Sequence, residues 1–324
     1  MIIKYNPDME KIWEYFVNVS VNGNFQESRS FLNYHKDRFK DHSLMFYKKN
    51  DLAAVMPCNE TEDSKSLISH SGATFGGIIF SDRYASITSY NWILEELNQY
   101  VTDNGFNHLE LKMPSWLYMN SDKHMEIFDY LLGLNGFSCS EEVGFYINCT
   151  ALEPNYEQNY AKLKKRKLKK AYKSNLTFKE ITTRTEIENF YNILEENYTK
   201  FKTKPVHTYD ELILLKEQCI PGILSFYGVF SENEMIAGSM VFDFNDKKVF
   251  HTQYLASRFE YLELCPNEFL YTNLIATAHD RGFRFLSFGT STLEHGAVFN
   301  EDLALFKEGF NTDTYVNRTY KKDF

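Results

Sequence analysis

The sequence predicts an α/β (α+β) protein made of two copies of one unit, each a mixed, mostly antiparallel central sheet flanked by helices. Three observations predict it. One order of elements occurs twice along the chain. The same Gly-Phe punctuation closes corresponding helices in both halves. The composition, 43% hydrophobic and 24% charged with no simple-sequence segment, is that of a folded chain.

The repeat is clearest around two long helices. Tyr90, Ile93, Leu94, Leu97 and Val101 recur at helical spacing. Asn104-Gly105 caps that helix, and 106–111 then alternates as a strand. In the second half Pro266 suits a first helical turn, Leu270, Leu274 and Ala278 share a face, Gly282 stops the helix, and 283–288 follows as a strand. Upstream, 44–58 and 224–244 both read strand, turn, strand, and a further strand follows each at 67–80 and 248–256. Downstream, helices at 125–134 and 303–308 end at Asn135-Gly136-Phe137 and Gly309-Phe310, and last strands follow at 144–149 and 314–320. The organisation predicted is a first domain over 1–150, a basic connector helix within 151–174 and a second domain over 175–324.

Charge is distributed unevenly. The net charge is −9, yet 162–173 holds eight cations: Lys162, Lys164, Lys165, Arg166, Lys167, Lys169, Lys170 and Lys173. Elsewhere 27 basic residues face 44 acidic ones, so this one stretch opposes the rest of the surface. Its periodicity gives an apolar arc of Tyr160, Leu163, Leu168 and Ala171, with the cations turned outward. No aromatic ladder interleaves them, which argues against simple nucleic-acid binding. The five scattered cysteines have no CxxC spacing and read as buried free thiols, and no metal-ligand spacing occurs, so no metal is expected. The sequence shows neither a bilayer-length apolar run nor a signal peptide, which points to the cytoplasm without membrane insertion.

Three segments resemble a known family. Gly23-Asn24-Phe25-Gln26-Glu27-Ser28-Arg29-Ser30-Phe31, the basic connector, and the tail Phe288-Gly289-Thr290 followed by Leu305-Phe306-Lys307-Glu308-Gly309-Phe310 look like the opening, connector and ending of the tandem-domain Fem-type (FemAB-like) aminoacyltransferases of peptidoglycan synthesis, within the GNAT acyltransferase superfamily. His70-Ser71-Gly72-Ala73-Thr74-Phe75-Gly76-Gly77 is similar to a stretch in related bacterial acetyltransferase-like proteins. Two features depart from many GNAT domains. The glycine loop that cradles a coenzyme pyrophosphate is replaced by 257–262 and 81–84, neither of which carries its glycines. The position of a general-acid Tyr holds Leu132 and Leu305.

The resemblance implies transfer of an acetyl or aminoacyl group to an amine on a sugar- or peptide-containing cell-envelope precursor, with acyl-CoA or aminoacyl-tRNA as donor. The rivals are a strictly tRNA-dependent aminoacyltransferase and a tandem GNAT module that only binds. Acyl transfer needs alignment, a proton acceptor and donors for the oxyanion. Lys307 is the first catalytic candidate, because its repeat counterpart is the apolar Leu134. Glu268 and Tyr254 follow, Glu268 being either a base or a first-turn acid that favours the helix dipole. Arg166, Lys169 and Lys170, with the small-residue loop Gly289, Thr290 and Ser291, are candidates for a phosphate-bearing donor, precursor or tRNA. His70, Phe75, His251 and Asn300 are assigned to the acceptor groove.

Overall fold

Period-2 apolar runs form the strands and period-3.6 runs the helices, in a computed structural model that describes residues 1–121, 123–200 and 202–324, with Asp37 described by its backbone alone. Where the sequence suggested breaks near 150 and 175, the chain divides between Glu142 and Val143. One unit comprises Met1–Glu142, Glu294–Ala297 and Val316–Phe324, the other Val143–Leu293 and Val298–Tyr315.

In the first unit, strands Ile2–Lys4, Leu44–Lys48, Asp51–Met56 and Ile79–Phe80 form one antiparallel sheet. Alternation sends Met45 and Val55 against Trp13, Phe16 and Val17 of the helix Glu10–Val19. Phe46, Ala54 and Met56 go the other way, into a cluster with the helices Ile87–Asp103 and Met125–Leu134. A second set of strands contains Cys58–Glu60, Ser66–Ser69 and His108–Met113. The last two are parallel and joined through the helix Ile87–Asp103. Residues Arg318–Asp323 of the C-terminal strand pair antiparallel with His108–Met113.

The second unit repeats that crossover. Strand Val249–Ser257 runs parallel to Phe285–Thr290, and the helix Pro266–Asp280 joins them. The sheet order is Thr177–Glu180, Leu224–Ser231, Glu234–Phe244, Val249–Ser257, Phe285–Thr290, then residues 143–148 of strand Ser138–Asn148. Neighbouring residues of one strand show its two faces: Phe226 meets Phe190 of the helix Arg184–Lys200, whereas Tyr227 packs on Phe250 in the cluster that holds the helix Pro266–Asp280. Each fully buried large apolar side chain in such a layer contributes about 1.5–3 kcal/mol.

Several sequence expectations change. Residues 67–80 are not one strand but Ser66–Ser69 and Ile79–Phe80 with a loop between. That loop lies so close that a side chain on Gly72 would strike His35, and one on Gly77 would strike Met113. The basic helix is Lys162–Lys173, packed on Pro266–Asp280 within the second unit through Leu168 and Ala171. Its arc is turned by one residue: Leu163 is exposed and Lys164 is buried. Leu134, taken as the core counterpart of Lys307, is 65% exposed. Of the five free thiols Cys58, Cys149 and Cys265 are buried, but Cys139 is exposed.

Candidate functional site

The parallel strands of the second unit part company soon after they begin. Val249–His251 pair with Phe285–Ser287, and no pairing between the two strands follows among the described residues. Gln253 has no partner in the register with Glu234–Phe244, where Met240 faces Tyr254 and Val241 faces Thr252. An extra residue of this kind bends a strand and re-aims its side chains. Polar side chains gather where the pairing of the two strands ends.

Ser287 is the hub of that group and fully buried. Its Oγ lies 3.1 Å from His251 Nδ1 and 3.0 Å from the Tyr315 hydroxyl, and it accepts from the Gly289 N–H at 3.2 Å. Thr252 Oγ1 donates to the Ser287 carbonyl at 3.0 Å. Gly289 turns the chain with φ +70°, a conformation that side chains rarely adopt. Beneath it Tyr271 stacks on Phe288 with centroids 4.4 Å apart, and Phe288, Phe306 and Phe310 continue the aromatic floor.

Lys307 closes this end. The helix Glu301–Glu308 starts at Asn300, whose side chain accepts from the Leu303 N–H. Ala304 and Lys307, three residues apart, form its buried face, while Leu305 is exposed. Lys307 is 3% exposed. Its ammonium donates to the carbonyls of Gly289 at 3.0 Å and Thr290 at 2.5 Å, and no carboxylate pairs with it among the described residues. Burial alone pulls its pKa down to about 7. Burial also lowers His251, to about 4; a hydrogen bond between its ring and Gln253 opposes this and the nearby Lys307 charge adds to it. His251 is therefore neutral at physiological pH.

The phosphate nest expected at 289–291 does not form. The Gly289 N–H goes to Ser287 and the Ser291 N–H to the Val143 carbonyl, while the carbonyls of Gly289 and Thr290 turn to Lys307. With the N–H groups of Gly289 and Ser291 engaged, the loop presents carbonyls to a cation. The hydroxyls of Ser291 and Thr292 are buried with no hydrogen-bond partner among the described residues.

The remaining candidates are dispersed. Glu268, in the first turn of Pro266–Asp280, is buried, and one carboxylate oxygen takes Lys164 and Lys167 at 3.2 Å each. Tyr254 is buried, its hydroxyl 2.7 Å from His207 Nδ1 and its ring against Tyr198; neither contact involves Lys307. Asn300 serves as the helix cap. Arg166, Lys169 and Lys170 lie exposed on the outer side of the basic helix, outside any ion pair among the described residues.

His70 and Phe75 belong to the first unit. His70 is buried, accepts from the Gly72 N–H and stands 5.1 Å from the His35 ring; burial holds its pKa at about 3. It lines a cavity of about 460 Å³ with Tyr5, Glu10, Arg29, Lys36 and Asp41. The Arg29 guanidinium there lies against the rings of Tyr5 and Trp13 and is paired with Asp41. Phe75 packs on Tyr118 instead and does not line that cavity.

The sequence reading missed Ser287, Tyr315 and Lys164. A lone Ser within Phe-Leu-Ser-Phe was the available signal for the first. For Tyr315 it was Gly144, whose absent side chain leaves room for that ring. Among the described residues no cluster of His, Cys and carboxylate could hold a metal, and no helix is long and apolar enough to cross a membrane.

Residues 158–296 match the model of an acetyltransferase (GNAT) domain. No curated protein matches the chain by sequence. The fold is similar to that of FemX, at TM-score 0.68 and 10% identity over 100% of this chain and 97% of that one. It is also similar to the C-terminal domain of a putative lysylphosphatidylglycerol synthetase from Agrobacterium fabrum, at TM-score 0.63 and 10% identity over 98% and 92%. A tandem GNAT protein from the clavulanic acid biosynthesis pathway gives TM-score 0.55 and 6% identity over 100% and 98%. At such identities the likeness is one of fold, and it accounts for the duplicated crossover.

GNAT domains generally use acyl-CoA, and the resemblance sets the glycine loop for its pyrophosphate against the turn before Pro266–Asp280. The residues there do not suit that group. A 3-10 helix, Phe259–Leu264, stands in place of a glycine loop. Cys265 and Pro266 follow it, and Pro266 has no N–H to offer.

Proposed function

We propose that this chain, on the premise that residues 158–296 are a GNAT acetyltransferase domain, transfers an acyl group to an amine of a sugar- or peptide-containing cell-envelope precursor, with Lys307 at the reaction centre. The observation that carries the reading is the buried, carboxylate-free ammonium of Lys307, held on the carbonyls of Gly289 and Thr290 at the end of strand Phe285–Thr290. A lysine buried without an ion-pair partner lowers stability, and a buried group with a strongly shifted pKa is a candidate for a chemical task.

In the proposed step the acceptor nitrogen attacks the donor carbonyl carbon and a tetrahedral oxyanion forms. The intermediate collapses with loss of the donor's leaving group as an anion, which takes up the proton that the nitrogen gives up. An ammonium has three N–H groups. Two are used on Gly289 and Thr290, and the third is available to the oxyanion. The buried hydroxyls of Ser291 and Thr292 supply hydrogen bonds to substrate polar groups. The cations Arg166, Lys169 and Lys170 attract a phosphate-bearing substrate.

The test is transfer of a radiolabelled acyl group to amino-sugar and UDP-linked peptide acceptors by wild type and Lys307→Met. Turnover that falls by about 10²–10³-fold in the variant, at a melting temperature no lower than that of wild type, is expected. Equal turnover in both proteins would remove Lys307 from the chemistry, and no turnover with any acceptor would leave only a binding module.

A further inference from the structure

Glu268 occupies an unusual place for a carboxylate. It is the third residue of Pro266–Asp280, where the first-turn amides carry partial positive charge. A phosphate at a helix start exploits that charge. Here the chain supplies its own anion, 3% exposed, and neutralises it with Lys164 and Lys167.

The assembly is fixed on its far side. The Lys164 ammonium lies 3.6 Å from the Phe306 ring centroid and 4.3 Å from that of Phe310. Its stem passes Gly309, where a Cβ would come within 2.9 Å of Lys164 Cε. The Phe-Lys-Glu-Gly-Phe run therefore does two things. It turns Lys307 toward Gly289, and it leaves a passage through which Lys164 reaches Glu268.

We infer that Glu268 fills the position at which a GNAT domain holds a coenzyme pyrophosphate and thereby selects against acyl-coenzyme A as donor. Three features act together. The carboxylate repels an incoming dianion. The two lysines that would otherwise attract it are already engaged. Pro266 removes one first-turn donor, and the preceding 3-10 helix offers no glycine for close backbone approach. The cations left for a donor's phosphates are the exposed ones of the basic helix: Lys162, Lys165, Arg166, Lys169, Lys170 and Lys173.

The inference rests on the acyl-transfer reading for its reference to a donor, but its test is a binding measurement that needs no turnover. Coenzyme A and inorganic pyrophosphate are titrated calorimetrically into wild type and Glu268→Gln. Expected is no heat from wild type and saturable binding of both ligands by the variant, tightened by at least about tenfold. Should the variant fail to fold, modification of the half-exposed Lys167 by an amine reagent in wild type replaces it, and coenzyme A is expected to give no protection. Binding of coenzyme A by wild type, protection of Lys167, or equal affinity in the two proteins would overturn the inference. None of these results would touch acyl transfer itself, which stands or falls on Lys307→Met turnover.

Discussion

Lys164 and Lys167 on one side, and Lys307 on the other, are cations of the same unit placed in opposite ways. Lys164 is buried against two phenylalanine rings and meets the Glu268 carboxylate, which Lys167 shares. Lys307 is buried to the same degree but meets only carbonyl oxygens. Burial lowers both pKa values. Glu268 opposes the fall at Lys164 and leaves it at about 8, whereas nothing opposes it at Lys307, which drops to about 7. A buried cation with a full counter-charge is a structural joint, and one with only dipoles around it is poised to meet a further negative charge.

The comparison is broken most severely by Glu268→Ala, which strands Lys164. Removing one partner of a buried pair costs about 3–5 kcal/mol, and the half-exposure of Lys167 places the effect at the lower end. Chemical denaturation should register it, and a change within error would mean that the joint does not hold the basic helix. Next is Lys307→Met. On the proposed acyl-transfer reading, loss of one oxyanion donor should lower kcat by about 10²–10³-fold. The variant should gain rather than lose thermal stability at neutral pH, because it removes an uncompensated buried charge.

The pH dependence sharpens the same contrast. The folded-state pKa of Lys307, about 7, lies below that of the unfolded chain, so between these values the unfolded state binds more protons. Its destabilising effect is complete below pH 7 and fades as pH rises toward 10. Melting curves of wild type and Lys307→Met should converge over that window, and the ratio of their turnover rates should shrink as pH passes 7. Parallel melting curves would show that Lys307 does not titrate there.

Gly289→Ala should cost about 1–2 kcal/mol, since φ is +70° at that residue while the added methyl has room, 3.7 Å from His251. It should lower turnover by tilting the carbonyl that holds Lys307. Smallest on stability is Lys169→Glu with Lys170→Glu, within about 0.5 kcal/mol for exposed positions. That pair should nevertheless weaken binding of a phosphate-bearing substrate and flatten its salt dependence. Unchanged binding would confine the outer cations to solubility.

Some of the site was legible beforehand and some was not. The Phe-Lys-Glu-Gly-Phe run singles out Lys307 as a candidate, but its repeat counterpart Leu134 is exposed and not a core residue. What marks Lys307 is its place three residues after Ala304 on the inward face of a short helix, a spacing visible in the sequence. The loop 289–291 was legible as a tight turn but not in its polarity. Whether its N–H groups or its carbonyls face the site depends on Ser287 and Val143, which are distant or hidden in an apolar strand. Tyr254 could be placed on its strand, but not on the side where His207 meets its hydroxyl.

By itself the sequence determined the repeated order of helix and strand, the Gly-Phe stops and the concentration of cations on one helix, because periodicity, capping and charge are local properties. Only tertiary structure decided which lysines are buried, which of them are neutralised, and that a chain carboxylate stands at the head of the helix Pro266–Asp280. Those outcomes depend on a rotation of the basic helix by one residue and on contacts between segments some hundred residues apart, such as Lys164 with Glu268. A helical wheel fixes neither, since desolvation and pairing energies arise only when the partner surfaces meet.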